Sequence, residues 1–567
     1  MSYNLIQKTL AVVHEALVAY AAQHDIAITP SQINTALLID QEKHELGDIS
    51  TNAALVFAKK LKQNPMSTAA ELIAYLKDQK ELSTLIDHCH VAAPGFINIR
   101  CAHETYVQEG RALFDRAGKK NFVIREITPI KRKRFNIEYV SANPTGPLHV
   151  GHGRGGIIGN TLARVLKYTN HPVVEEFYIN DAGNQIAKLG ESLKIRYLQR
   201  VEPEQEHIIP EDGYHGEYLI DLADELISEH HGASFIDKPA DFFGSWAVKK
   251  VLAQQKNTLA QYGINFDTWF SEKVLHDTGL VQEALDFLEK SGDTYTTEDG
   301  ALWLASTKYG DDKDRVLRKS TGELTYIASD IAYLKYKKEK GKYDKLVMIL
   351  GQDHHGYEHR MKAAMQMLGY NPDDLNIIFY QLVSIKESGK QVRLSKRAGK
   401  IIALDDIIQT VGVDVARFFY LNKKADAHLE FDIDLACSKT DENPVYYIQY
   451  AYVRLASIIN KAAAHDQLAR IVREDLKELS SQEERIIKKI VELEILLEQI
   501  SQNYHTHLLA YYATELANLV HGYYTNNRVI DLEHIETSRH RLAFLHILQA
   551  TLGLCLDLLG VSKPKEM

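Results

Sequence analysis

Two histidines three residues apart, His149 and His152, stand inside Ala142-Asn-Pro-Thr-Gly-Pro-Leu-His-Val-Gly-His-Gly-Arg-Gly-Gly-Ile-Ile-Gly-Asn160. At a helix start, that spacing lets two imidazoles face one side and hydrogen-bond phosphate oxygens as charge develops. A capping pair, or half of a metal site, is the plainer use of the same tetrapeptide. Far downstream, Lys386-Glu-Ser-Gly-Lys-Gln-Val-Arg-Leu-Ser-Lys-Arg-Ala-Gly-Lys400 is a basic, glycine-flanked loop centred on Ser395-Lys396. Such a loop can close over a triphosphate and set an ammonium on the leaving group. Taken singly, it reads as a solvated basic turn.

The elements around the histidines suit an anion. Phe135 to Val140 reads as a buried strand, and Ile157 to Leu166 carries apolar residues at helical spacing. A strand, a loop and a helix N-terminus aim free backbone N–H groups and a partial positive charge at a guest such as phosphate. Gly151-His-Gly-Arg-Gly-Gly156 also satisfies G-x-G-x-x-G, and Glu175 or Glu176 lies near the place of a ribose-binding acid. A dinucleotide enzyme is therefore a competitor. Against it, Ser141 through Val150 separate the strand from the first glycine, and Pro144 and Pro147 stiffen that path.

Along the chain, residues 1–115 read as a small α+β module: an amphipathic helix (Leu5, Leu10, Val13, Leu17, Tyr20), a helix within Gly47–Lys60 capped by Ser50 or Thr51, and a turn and strand at Pro94 to Ile99. From 116 to 435, strand-like runs alternate with helical ones. Phe135 to Val140, Val173 to Ile179, Leu346 to Leu350 and Ile377 to Val383 are candidate parallel strands of a doubly wound, Rossmann-like α/β core. A charged, helical stretch of about 190–300 reads as an insertion in which no strand is placed. Residues 436–567 carry four long apolar-periodic segments and read as an all-helical bundle.

Composition narrows the classes. The 567 residues are 45% hydrophobic and 25% charged, which is globular rather than disordered. A net charge of -10 excludes a globally basic surface, so nucleic acid must be met by local patches. Lys131-Arg-Lys-Arg134 is one such patch, or a solvated turn. The four cysteines Cys89, Cys101, Cys437 and Cys555 lack metal-ligand spacing, so no protein-held metal is expected. No apolar run reads as bilayer-spanning, and a soluble cytoplasmic protein is expected.

Together the two chemical stretches resemble the paired signatures of class I aminoacyl-tRNA synthetases. His149-Val-Gly-His152 stands for His-Ile-Gly-His, and Arg393-Leu-Ser-Lys-Arg397 for Lys-Met-Ser-Lys-Ser, with Ser395 and Lys396 retained. Glu138-Tyr-Val-Ser-Ala-Asn-Pro-Thr-Gly-Pro-Leu-His149, Tyr178-Ile-Asn-Asp-Ala-Gly183, Leu324-Thr-Tyr-Ile-Ala-Ser-Asp-Ile-Ala-Tyr333, Gly351-Gln-Asp-His-His-Gly356 and Asn443-Pro-Val-Tyr-Tyr-Ile-Gln-Tyr-Ala-Tyr452 narrow the resemblance to the arginyl-tRNA synthetase family.

The resemblance implies ATP, magnesium, L-arginine and tRNA(Arg) as cofactors and partners, no membrane, and a monomer. It implies His149, His152 and Lys396 as catalytic residues, with Gly151, Gly153, Arg393, Ser395 and His354 around ATP. Glu138, Ser141, Asn143, Tyr326, Asp330 and Gln352 would hold arginine. Chemistry agrees, since a guanidinium needs planar carboxylate acceptors and Tyr326 lies four residues before Asp330 on one helical face. His354, His355 and His359 are expected near the nucleotide rather than around a metal. Tyr447, Tyr450 and Arg454 share a helix face; core packing is the usual meaning of such a stripe, and the family makes it a surface for stacking unpaired tRNA bases. Tyr511, Tyr512, Tyr523 and Tyr524 are left between surface and core. A dinucleotide oxidoreductase and a non-catalytic tRNA-binding paralogue remain the alternatives.

Overall fold

The computed structural model describes residues 4–38, 46–119, 122–124, 132–229, 234–354, 356–392 and 403–567. Five parallel strands form its central sheet: β1 (Phe135–Tyr139), β2 (Val173–Ile179), β3 (Thr268–Ser271), β4 (Lys345–Gly351) and β5 (Leu375–Tyr380). Their order is β5-β4-β1-β2-β3, with every pairing parallel. The chain runs outward from β1 through β3, then returns to the other side of β1 for β4. That reversal opens a crevice beyond the carboxyl ends of β1 and β4, the usual ligand site of such sheets. Helix α1 (Val150–Tyr168) makes the crossover from β1 to β2 and sets His149 at the crevice.

Two expectations about strands change. β3 lies inside the stretch read as a strandless insertion; its four residues are too few for a period to declare itself. The run Ile377 to Val383 is two elements, because β5 stops at Tyr380 and Val383–Glu387 begins a separate sheet with Lys390–Val392 and Leu429–Asp432. Between β2 and β3, helices Asn184–Val201, Tyr218–Glu229 and Ala240–Gln261 pack around their own core of Leu189, Leu193, Leu219 and Phe243. After β3, helix Leu280–Ser291 and an antiparallel three-stranded sheet join the core that lies under helix α2 (Tyr326–Glu339) and helix α3 (Tyr357–Met367).

The N-terminal module packs helix Leu5–Gln23 beside a four-stranded antiparallel sheet of Thr35–Leu37, Ile49–Thr51, Phe96–Cys101 and Ile86–Ala92. Ser50 and Thr51 are therefore strand residues; the following helix starts at Ala53 behind Asn52. Its interface with the C-terminal helices is polar and buried. Asn4 Nδ2 donates to Glu494 Oε2 at 2.8 Å, and Lys488 Nζ lies 3.2 Å from Asp48 Oδ1 and 3.0 Å from the Gly47 carbonyl.

Four helices build the C-terminal bundle: α4 (Pro444–Ala463), Ser481–Asn503, α5 (His507–Asn526) and Ile535–Leu559. The last corrects the expectation of no bilayer-length apolar segment. By length and composition it qualifies, yet 72% of its most apolar window is buried inside the protein, as for a core helix. In the basic patch, Arg132 and Arg134 are tied to the body of the fold. Arg132 donates to the Asn170 carbonyl and side chain, and the Arg134 guanidinium lies over the Tyr343 ring.

Candidate active site

His149 is the N-cap of α1, and its side chain works within the helix end. Its Nδ1 accepts the Gly151 N–H at 3.1 Å, while His152 Nδ1 accepts the His149 N–H at 3.2 Å. The rings stack, with centroids 3.8 Å apart and planes 24° from parallel. An imidazole that accepts at Nδ1 carries its hydrogen on Nε2 when neutral, which fixes the tautomer of both rings at the positive end of the helix. The two histidines are a capping pair, the plainer of the uses the sequence allows, and that use leaves the donor role open to both. Gly151 suits a close approach, because a Cβ there would meet only the His149 ring, at 3.0 Å.

Gly153 has a different use. A Cβ there would stand 2.5 Å from Leu404 Cδ1 and 2.9 Å from the Tyr420 hydroxyl, so this glycine lets α1 press against the segment after the basic loop. Arg154 is likewise structural: fully buried, it donates to the Gln381 and Lys424 carbonyls at 2.7 and 2.9 Å. The backbone completes the contact. His149 forms an antiparallel bridge with Ala403, and the Leu404 N–H donates to the Leu148 carbonyl at 2.9 Å. On the other flank, Lys390–Val392 pairs with Val383–Glu387. Arg393, Ser395 and Lys396, in the sequence between these two anchors, lie outside the described residues; His355 also lies outside them.

Across the crevice lies a pocket rich in carboxylates. Asp330, one turn along α2 from Tyr326, has its carboxyl pushed up to about 7 by burial and by Glu138 and Glu272, against the Tyr357 hydroxyl and Arg360. Burial likewise raises Glu272. Tyr178 on β2 sits among Glu272, Asp330, Glu138 and Asp181, with burial pushing its phenol upward first. Tyr326 is 63% exposed at the start of α2. A carboxylate cluster that raises one of its own carboxyls in this way favours an added cation.

Glu138 is 5% exposed and already paired: its Oε2 meets Lys337 Nζ at 2.5 Å, and its Oε1 lies 3.4 Å from the Ser141 hydroxyl. Sequence reasoning missed Lys337, Glu272 and Tyr333, and weighed Glu176 only as a ribose-binding acid. The first and third continue the Tyr326–Asp330 face along α2, a stripe that could have been followed.

The path from β1 to α1 is strained where it passes the pocket. Val140 and Ser141 have φ of +67° and +38°, and the Ser141 N–H turns back to the Tyr139 carbonyl at 2.9 Å. A β-branched residue in that region is costly and is held by its surroundings. Ser141 Oγ accepts the Tyr178 N–H at 3.1 Å. Asn143 is exposed, and its carbonyl accepts from Gln255 Nε2 at 3.1 Å, a tie from the inserted helices. At the end of β4, Gln352 Oε1 is buried with no hydrogen-bond partner among the described residues, an acceptor suited to an ammonium group. His354 follows in the same short helix, and His359 is exposed on α3.

A second surface lies on the bundle. On α4, Tyr447 and Tyr450 are half-buried and Arg454 is exposed. The His521 ring lies 4.0 Å from that of Tyr447 and parallel to that of Tyr450, and Arg454 lies over Tyr524. His521 Nε2–H donates to the Tyr447 carbonyl and Nδ1 takes the Tyr524 hydroxyl, which locks the tautomer. Tyr512 and Tyr523 belong to the core, while Tyr511 and Tyr524 reach the surface.

Comparisons with known proteins agree along the chain. Residues 120–432 match the class I tRNA synthetase (R) catalytic domain, 448–567 the DALR anticodon binding domain, and 6–101 the arginyl tRNA synthetase N-terminal domain. Arginine–tRNA ligase 1 of Halalkalibacterium halodurans is 40% identical over 95% of this chain and 96% of its own. The ligase of Anoxybacillus flavithermus is 36% identical over the full length of both. A structure described as a putative arginyl-tRNA synthetase from Campylobacter jejuni superposes with a TM-score of 0.74 at 32% identity, covering 82% of this chain and 100% of that one. The Plasmodium falciparum arginyl-tRNA synthetase, 17% identical, shares the fold over the whole of both chains with a TM-score of 0.76.

Proposed function

The chain belongs to the arginyl-tRNA synthetase family, and on that premise we propose how its residues divide the reaction it performs. The enzyme is an arginine–tRNA ligase that activates arginine with ATP and transfers it to tRNA(Arg). In the first step an arginine carboxylate oxygen attacks the α-phosphorus of ATP, the bond to the bridging oxygen breaks, and pyrophosphate leaves. In the second, a hydroxyl of the terminal tRNA adenosine, the 2′-OH for class I, attacks the acyl carbon and AMP leaves.

His149 and His152 donate through Nε2–H to the phosphates at the start of α1, and Lys396 adds an ammonium as the loop closes. Catalysis is then positioning and electrostatic stabilisation. Gly151 lets the nucleotide approach the backbone, and Arg393, Ser395 and His354 complete its surroundings, with Gly153 acting indirectly by admitting Leu404. Magnesium arrives with the phosphates, because the α1 end offers donors rather than carboxylates. Glu138, Asp330 and Tyr326 grip the guanidinium; Ser141, Asn143 and Gln352 orient the α-amino and carboxylate groups. Tyr447, Tyr450 and Arg454 stack anticodon bases, and residues 1–115 meet the tRNA elbow. We take 116–435 as the catalytic unit and 436–567 as the anticodon-binding unit of a cytoplasmic monomer.

The observation that carries this assignment is the buried carboxylate group of Glu138, Glu272 and Asp330 in a chain whose strand β1 leads into the paired histidines that cap α1. The test is arginine-dependent charging of purified tRNA(Arg) with ATP and magnesium. Absence of charging with cognate tRNA would refute it, and NAD(P) binding in its place would favour the oxidoreductase.

A further inference from the structure

Lys337 is a fully enclosed cation that the reaction scheme above leaves without a task. It projects from α2 two turns beyond Asp330, with its side chain 2% exposed. Its ammonium lies 2.5 Å from Glu138 Oε2 and 3.0 Å from Glu176 Oε1, and 4.1 Å over the Tyr333 ring. The Tyr333 hydroxyl donates to Glu176, closing the cluster. Burial draws the ammonium's pKa down, and the two glutamates overcome that and leave it raised.

We propose that Lys337 is a positioning residue for arginine selection: it clamps one oxygen of Glu138 and leaves the other for the substrate guanidinium. The clamp also registers the two walls of the pocket, since one helix supplies both Asp330 and the cation that orients Glu138. Without it, Glu138 would stand buried and unpaired between Glu176 and the Asp330–Glu272 group. It would then either take up a proton or turn away. Either outcome removes a planar acceptor that a guanidinium needs.

The inference rests on the arginine-pocket assignment, so the experiment carries a separate arm for each. Charging kinetics are measured for wild type, Asp330→Asn, Lys337→Met and Lys337→Arg, with arginine and ATP varied in turn. Lys337→Met is expected to raise the arginine KM by about 30-fold or more, the effect of truncating one member of a buried charge pair. The ATP KM should hold within about threefold, and Lys337→Arg should restore most of the loss. An unchanged arginine KM in Asp330→Asn overturns the pocket itself. A raised value there, with folded Lys337→Met unchanged or with both KM values rising equally, overturns Lys337 alone.

Should Lys337→Met fail to fold, Glu176→Gln answers the same question, because it leaves Lys337 to Glu138. The charged and titrating groups around the cluster are Glu138 on β1, Glu176 and Tyr178 on β2, Glu272 after β3, and Asp330 and Tyr333 on α2. Tyr343 with Arg134 over its ring, Asp181, His276 beside Glu272, and Tyr357 and Arg360 on α3 complete the set among the described residues. Glu176→Gln removes one negative charge from this set, so the acid limb of kcat/KM for arginine should move to lower pH. An unmoved limb would overturn the proposal.

Discussion

Asp330 holds its place at a cost to the free enzyme. Its carboxyl, raised to about 7, is protonated more readily folded than unfolded, so ionising it at higher pH destabilises the fold. The sign follows: between the ordinary carboxylate range and about 7 this residue lowers stability as pH rises, and above about 7 the loss is complete. Asp330→Asn should therefore raise the melting temperature at pH 8 and leave it unchanged near pH 4, while the arginine KM rises far more than the ATP KM. A variant no more stable at pH 8 would contradict the cost. Arginine favours the ionised form, so its binding should release a proton near neutrality and weaken below it. Calorimetry in buffers of different ionisation heats reads that proton. At the phosphates, Lys396→Ala should slow charging at least about a hundredfold, as for loss of one transition-state donor, with tRNA affinity little altered. An unchanged turnover number would remove Lys396 from the chemistry. Glu138, Tyr326 and Asp330 were singled out through the family resemblance, because by residue type alone a helix carboxylate and a nearby aromatic have plainer uses than holding a guanidinium. Lys337 was silent and Glu176 was weighed only as a ribose-binding acid, since a lysine on a polar-looking helix and a glutamate on a strand acquire this meaning only when the sheet brings them together.

Helix α1 carries its glycines for packing as much as for phosphate. Besides Gly153, a Cβ at Gly155 would stand 2.7 Å from the Tyr380 ring, and one at Gly159 would stand 2.4 Å from that of Tyr139. The fingerprint spacing thus arises from a helix laid close on β1 and β5, which no pattern of letters could separate from a dinucleotide turn. Gly153→Ala should push Leu404 off its seat, costing about 1–3 kcal/mol as overpacking does. Because Leu404 and Ala403 anchor the basic loop beside His149, the ATP KM should rise more than the arginine KM. Equal changes would make Gly153 a packing residue only. Among elements, long periodic ones were legible: the four apolar-periodic segments of residues 436–567 are the four long helices of the bundle. Short ones were not, as with β3, or with Ile49–Thr51, whose strand character comes from pairing with Phe96–Cys101 and not from its own sequence.

At the scale of the molecule, the N-terminal module is fastened to the bundle by a buried ion pair rather than by apolar surface alone. Asp48 is fully buried, accepts the Cys101 N–H at 2.8 Å, and has Lys488 as its cation. Lys488→Met strands that carboxylate, and the expected loss is about 3–5 kcal/mol. Hydrogen exchange should then accelerate in Phe96–Cys101 while β1 and β4 keep their protection; a uniform increase would mean the module is not a separate unit. That module was recognisable in sequence as a small α+β fold, yet nothing in residues 1–115 discloses that its buried acid awaits a lysine from the far end of the chain. The wait is literal during synthesis. Asp48 must meet Lys488 across a separation of 440 residues. At about 5–20 residues per second, the ribosome takes roughly 20–90 s to supply that partner. For that interval the newborn module holds a carboxylate without its counter-charge, so its docking should trail translation and be the step most dependent on holding factors that bind unfinished chains.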